Sequence, residues 1–299
     1  MSRLELWSCA HGGIEDPEAE ALELDRYHNW GSFMRGDVPL ISLKPGPRYP
    51  SWPYGDRLMI ANEPNNQQQD GYCGRGWEAG QRAAQLARMV PQGVSNAIAG
   101  NFFCGDLNKV TVNGDATCYT GNKDTRSAGR TYWQKFKDGW QWDLDDDDDA
   151  NPLMWGLHWY ERATPPAFDW PRCCQVLSEF VEWASPVPVA ITEFGVEEWG
   201  WDYARGAAFM EKAVTWCAEN DVAVFAWCQW PSRWAKAGLW RSNALTPLGR
   251  HYRDLGRMIR AGEPPEPDEP HLETVELMSD SSWIIDGYQY DVRVTRRRL

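Results

Sequence analysis

From residue 57 onward, short apolar runs alternate with longer stretches whose apolar residues recur at helical spacing. Residues 57–62 (RLMIAN), 96–105 (NAIAGNFFCG), 152–161 (PLMWGLHWYE), 187–195 (VPVAITEFG) and 222–230 (VAVFAWCQW) are too continuously apolar for a half-solvated sheet, and they predict strands covered on both faces. Between them, residues 76–90 place Ala79, Ala83, Leu86, Ala87 and Val90 on one helical face. Residues 169–185 open on Asp169 as a cap with Pro171 just inside, and they line up Cys173, Val176, Leu177, Phe180 and Trp183. Residues 202–220 predict another helix, as do residues 245–259, with Thr246 as cap and Pro247 in the first turn. Residues 106–150 read as a long polar excursion whose aromatic residues either wall a cleft or cover a barrel edge.

Repeated strand-then-helix units with doubly buried strands imply a parallel sheet wrapped by helices. About 250 residues of such units make a (β/α)8 TIM barrel the expected α/β architecture. An open doubly wound sheet is the weaker alternative, because no Gly-x-Gly-x-x-Gly or Walker loop follows any strand. Before residue 57 only residues 4–10 (LELWSCA) and 38–45 (VPLISLKP) read as strands, where a full barrel needs three, so an abbreviated N-terminal part is expected. Residues 1–261 form the expected barrel, and residues 262–271 an acidic, proline-rich linker. Residues 272–299 form a short β-strand appendage with an Asp-Gly turn at 286–287, too small to fold alone and expected to pack on the barrel.

Net charge is −13 over 299 residues, which argues against nucleic acid and against an anionic polymer as partner. No run approaches the roughly 18 apolar residues of a membrane-spanning helix. The first 13 residues lack the apolar core of a secretory leader, so localisation stays open. Nineteen tryptophans exceed ordinary core needs; most are expected in the core, some in a cleft that stacks on a flat ligand. The eight cysteines show no zinc-ligand spacing, so no metal and no cofactor is expected. Cys104 and Cys118 bracket a polar loop and are the best disulfide candidates, whereas Cys217 and Cys228 read as small core residues. The acidic run at 143–149 lacks the glycine and spacing of a calcium loop and reads as solvated. His11 and His28 lie in no diagnostic motif.

Two glutamates carry the chemistry. Glu63 follows the strand at 57–62 in Asn62-Glu63-Pro64, and Glu193 ends the strand at 187–195 in Thr192-Glu193-Phe194-Gly195. Strand ends of a barrel converge on one mouth, and two carboxyls over one cleft suit glycosidic cleavage. These motifs resemble those of the large clan of retaining (β/α)8 glycoside hydrolases, which includes cellulase-like, mannanase-like and β-1,3-glucanase-like families. The resemblance spans roughly residues 36–260. It implies Glu63 as general acid/base on strand four, Glu193 as nucleophile on strand seven, and Asn62 as a contact to the sugar 2-hydroxyl. It further implies that Tyr160 hydrogen-bonds Glu193, that His158 lines the cleft, and that Trp227 or, preferably, Trp230 forms the sugar platform. No counterpart of the strand-two arginine of many members is evident.

The implied activity is hydrolysis of β-linked poly- or oligosaccharide by double displacement, in an extracellular setting and as a monomer, with the negative charge of Glu193 raising the pKa of Glu63. One alternative is a barrel that binds carbohydrate without turnover. Another is a different barrel enzyme, for which Lys44 at a strand end is the only candidate Schiff-base lysine.

Overall fold

The structure, a computed structural model, describes residues 3–10, 14, 16–29, 38–44, 55–66, 69–90, 92–105, 111–112, 115–116, 123–142, 144, 151–162, 170–197, 203–229, 238–262, 282–285 and 288–291. The chain divides into two compact units, Met1–Pro264 and Pro265–Leu299.

In the first unit eight strands form one sheet: β1 (Glu5–Ala10), β2 (Arg26–Asn29), β3 (Leu40–Ile41), β4 (Leu58–Ile60), β5 (Ala97–Gly105), β6 (Met154–Arg162), β7 (Val189–Glu197) and β8 (Val222–Gln229). Every neighbouring pair is parallel, in the order β2-β1-β8-β7-β6-β5-β4-β3. A parallel bridge between His28 and Val38 joins the two ends of that order, so the sheet is a nearly closed barrel. The strand missing from the sequence reading is β2. Its residues, Arg-Tyr-His-Asn, carry no apolar run, and it still holds its place because His28 is buried while Arg26 pairs with Asp56 outside.

Helices follow the strands: α1 (Asp16–Leu22), α2 (Gly76–Met89), α3 (Lys123–Trp142), α4 (Trp170–Ala184), α5 (Tyr203–Glu219) and α6 (Pro247–Ala261). Thr246 caps α6 by accepting from the Gly249 N–H at 3.0 Å, with Pro247 as its first residue, as the sequence predicts. Helix α3 lies where the sequence pattern predicts only a polar excursion. Its buried face is aromatic rather than aliphatic, with Tyr132, Trp133, Phe136 and Trp140 spaced among Lys, Gln and Asp. Those rings join Phe102, Trp155, Phe180 and Trp183 in a cluster of edge-on and tilted contacts between sheet and helices, so these tryptophans serve the core. Acidic residues 143 and 145–149 lie outside the described residues.

Helices α2 and α3 touch backbone to backbone through glycine. A Cβ on Gly139 would stand 2.0 Å from the Trp77 carbonyl oxygen, and one on Gly80 would stand 2.0 Å from that of Phe136. No rotamer change relieves a clash with backbone. Gly139→Ala is therefore expected to lower stability by about 3 kcal/mol, read as a shifted urea midpoint at unchanged slope. Equal midpoints would contradict the close crossing.

Inside the barrel, Trp7, Leu40, Met59, Ile98, Met154, Ala190, Val224 and Ala226 fill the interior below the site with apolar side chains. Among the described residues no helix is long and apolar enough to cross a membrane. In the second unit the described residues are one antiparallel pair, Ser282–Ile285 with Tyr288–Asp291. Its expected Asp-Gly turn at 286–287 and the linker beyond Gly262 lie outside the described residues.

Candidate active site

The C-terminal end of β4 answers why an apolar strand stops on an amide and a carboxylate. Ala61 (φ 72°) and Glu63 (φ 50°) both adopt left-handed backbone, which non-glycine residues visit rarely. The two bends turn the chain back over the barrel and aim Glu63 at its axis. Such geometry costs on the order of 1–3 kcal/mol per residue and persists only where neighbours enforce it.

Here the neighbours are polar and buried. The Glu63 N–H donates to the Asn101 carbonyl at 3.1 Å, and Asn101 Nδ2 donates to the Ala61 carbonyl at 2.9 Å. Asn65 pairs reciprocally with the backbone of Phe103, both bonds at 2.9 Å. The Asp70 carboxylate accepts from the Asn62 N–H at 2.6 Å and from the Ser42 hydroxyl. Burial lifts the Asp70 carboxyl to about 6, against the lowering effect of those donors. Asn101 Oδ1 accepts from Thr192 Oγ1 at 2.7 Å, which ties the β4 turn to the strand that carries Glu193. The Asn101 side chain needs the bare Gly156 of β6 beside it, since a Cβ there would lie 2.1 Å from Oδ1.

Glu63 and Glu193 converge with His158. One donor atom from each lies within 4.8 Å of the others, and all three side chains are buried. His158 Nδ1 stands 3.1 Å from Glu63 Oε1 and 3.4 Å from Glu193 Oε2. Burial lowers the His158 pKa, partly offset by the Glu193 charge, so the ring is neutral near pH 7 and its Nδ1–H serves as donor between the carboxylates. Asn66 Nδ2 donates to the other Glu63 oxygen at 2.7 Å. The Tyr160 hydroxyl, kept protonated by burial, donates to Glu193, and Cys228 Sγ lies 3.1 Å from the same hydroxyl.

Burial raises the Glu63 pKa to about 7, opposed only by the Asn66 hydrogen bond. Loss of hydration is the largest cause of that rise. A carboxyl poised near neutrality can donate a proton and take one back.

Other expected site residues fall differently. Asn62 is half-buried, and its side chain donates to Gln69 Oε1 at 3.2 Å rather than to either glutamate. Trp227 is no platform here. It is fully buried on the helix-facing side of β8, its ring 6.0 Å from Phe194, because strand alternation sends Cys228 inward and Trp227 outward. Trp230 lies outside the described residues, as do Cys118, the expected partner of Cys104, and His11. Lys44 is exposed and acts on the Asp70 charge. Cys217 and Cys228 are both fully buried, as expected, yet Cys228 faces the site.

His28, without a motif in sequence, enters the same layer. Its Nε2 stands 2.7 Å from the Thr192 carbonyl, and burial drops its pKa to about 4. Asn101 was missed although an amide in the middle of the apolar run at 97–105 is itself a signal. For Asp70 and Asn66 the sequence holds none.

No protein-family model matches this chain, and no curated protein matches it by sequence. Among solved structures it is similar to a GH128 subgroup II endo-β-1,3-glucanase from Sorangium cellulosum, at 16% identity over 83% of this chain and 97% of that one, with a TM-score of 0.56. A subgroup I enzyme from Amycolatopsis mediterranei gives 14% identity over 84% and 99%, TM-score 0.54. A subgroup IV enzyme from Lentinula edodes gives 8% identity over 83% and 98%, TM-score 0.53. At these identities the likeness establishes the fold: this chain and those glucanases share the (β/α)8 barrel.

Proposed function

We propose that this chain is a retaining glycoside hydrolase that cleaves β-glucan, with Glu63 as general acid/base and Glu193 as nucleophile. The observation that carries the reading is the pair of carboxylates at the barrel mouth, oxygens within 4.8 Å, one of them poised at about 7 by burial. Retaining enzymes hold their carboxyls about 5–5.5 Å apart, whereas inverting ones need about 6.5–9.5 Å to admit a water.

In the first step Glu63 gives its proton to the glycosidic oxygen while a Glu193 oxygen attacks the anomeric carbon. The leaving sugar departs as an alcohol, and a glycosyl ester forms on Glu193. Glu63, now a carboxylate, takes a proton from water as that water attacks the same carbon and frees Glu193. His158 and Asn66 hold Glu63 in place through both steps. The Tyr160 hydroxyl steadies the Glu193 charge before attack and holds the leaving carboxylate on its return. Asn62, beside Glu63, is offered as the contact to the sugar 2-hydroxyl.

The neighbours, which are endo-β-1,3-glucanases, one in complex with laminaritriose, support β-1,3-glucan as the substrate class to propose. Laminarin and laminari-oligosaccharides are the substrates to test first, beside cellulose, mannan and xylan, with products separated by chromatography. Release of shorter sugars from laminarin supports the proposal. Binding without cleavage across the whole panel would leave a carbohydrate-binding barrel instead.

Tyr160→Phe removes only the hydroxyl that faces Glu193. A hydrogen bond to a charged group contributes about 1.5–3 kcal/mol, so kcat is expected to fall roughly 10- to 100-fold. Steady-state kinetics with the best oligosaccharide reads this. An unchanged kcat would remove Tyr160 from the mechanism.

A further inference from the structure

The nucleophile has a second set of neighbours that the hydrolytic steps do not use. Inward-facing positions at one level of adjacent parallel strands form a layer. In this barrel the register sets Cys9 of β1 beside His28 of β2 on one side and beside Cys228 of β8 on the other. Glu193 of β7 completes the arc. One donor atom each from Cys9, His28 and Glu193 lies within 4.8 Å of the others, and all three residues are buried.

His28 supplies the observation that points to a ligand. The Thr192 carbonyl can only accept, so the 2.7 Å contact fixes the proton on Nε2 and leaves a lone pair on Nδ1. That Nδ1 is buried and has no hydrogen-bond partner among the described residues. Buried acceptors are normally satisfied, and an imidazole whose other nitrogen donates to a backbone carbonyl is the usual arrangement of a metal-binding histidine.

We propose that Cys9, His28 and Glu193 bind a thiophilic divalent cation of the Zn²⁺ and Cd²⁺ class, and that an ion held there inhibits the enzyme. The inhibitory half rests on the hydrolase reading above; the binding half does not. A sulfur, an imidazole nitrogen and a carboxylate oxygen suit such ions and not Mg²⁺ or Ca²⁺, which take oxygen ligands. Bond lengths of about 2.0–2.3 Å around one ion require only a modest contraction of the cluster. On binding, the Cys9 thiol loses its proton to solvent. One thiolate and one carboxylate then cancel the two positive charges, so the buried complex is neutral and avoids the penalty of an unpaired ion. The Cys228 thiol lies within hydrogen-bonding reach of Cys9 and outside the three-ligand group. Inhibition follows because a Glu193 oxygen bonded to the metal cannot attack an anomeric carbon.

The test is a Cd²⁺ titration of the reduced protein, followed by thiolate-to-cadmium absorption in the ultraviolet and, in parallel, by laminarin hydrolysis. Wild-type protein is expected to gain one equivalent of the band, to lose activity with the same midpoint, and to recover on adding a chelator. Mg²⁺ is expected to do neither. Cys9→Ser is expected to lose the band and to need about 100-fold more Cd²⁺ for inhibition, whereas Cys217→Ser, altered at a buried thiol elsewhere, keeps both. Should Cys9→Ser fail to fold by circular dichroism, His28→Gln serves, with the band weakened at least tenfold in affinity.

No band in wild type, or a band that Cys9→Ser and His28→Gln leave intact, overturns the site. A Cys9-dependent band with undiminished hydrolysis overturns the inhibitory half. A Cys9-dependent band in a protein that hydrolyses nothing supports the site and counts against the hydrolase reading alone. Inhibition without a thiolate band would place the ion on Glu63, His158 and Glu193 and would likewise overturn the proposal.

Discussion

Glu193→Gln is expected to fold normally and to hydrolyse β-1,3-glucan at least about 10⁴-fold more slowly than wild type, the scale of losing a catalytic nucleophile. The amide keeps the shape of the side chain and can still accept from Tyr160. It has no negative oxygen to attack the anomeric carbon, and no ester can form. The loss should lie in kcat, because the sugar still finds the same walls. Truncation to glycine makes the second half of the argument visible. Azide added to that variant would enter where the carboxylate stood and should yield a glycosyl azide of inverted configuration from a substrate with a good leaving group. Turnover of Glu193→Gln within a factor of about ten of wild type would contradict the role given to Glu193.

Glu63→Gln should produce a different pattern. Substrates whose leaving group needs no proton should still glycosylate Glu193 slowly, while natural glucan should be cut roughly 10²- to 10⁴-fold more slowly. The pH profile separates this from a structural defect. Wild-type kcat/KM should fall as pH rises through about 7, where Glu63 loses its proton, and the variant should lack that limb. Stability follows the same group. Its folded pKa lies above the unfolded value of 4.5, so the stabilisation from holding the proton is full below about 4.5 and lost as pH rises through about 7. Above that, wild type carries a buried charge that glutamine does not. The variant should therefore be the more stable protein at pH 9, by an amount on the order of a few kcal/mol that vanishes in acid. A wild type at least as stable as the variant at pH 9 would contradict the burial-driven shift.

Much of the fold was legible because parallel strands covered on both faces must be largely apolar, and β4 to β8 are, apart from the polar residues they carry to the site. The helices on one-sided apolar stripes were legible for the same reason. Strand β2 was not, because its four residues take their place from a histidine turned into the barrel and an arginine paired outside it. Helix α3 was not, because aromatic rings spaced among charges leave its mean hydropathy low. The two glutamates stood out as carboxylates at the ends of buried strands, and Tyr160 came from the resemblance to the glycoside hydrolase clan. What could not be read is what depends on register. That includes Trp227 facing the helices, Asn101 bridging the turn of Glu63 to Thr192, and Cys9 meeting His28. The largest cause of the Glu63 shift has a related origin: the depth of burial belongs to the assembled barrel, not to the motif.

The most direct measurement is the configuration of the first product, followed by proton NMR of the anomeric signal during cleavage of a laminari-oligosaccharide. Two carboxylates this close leave no room for a water between catalyst and sugar, so the newly formed reducing end should appear as the β-anomer and only later equilibrate. Initial appearance of the α-anomer would mean single inversion, and the assignment of Glu193 as nucleophile would be wrong.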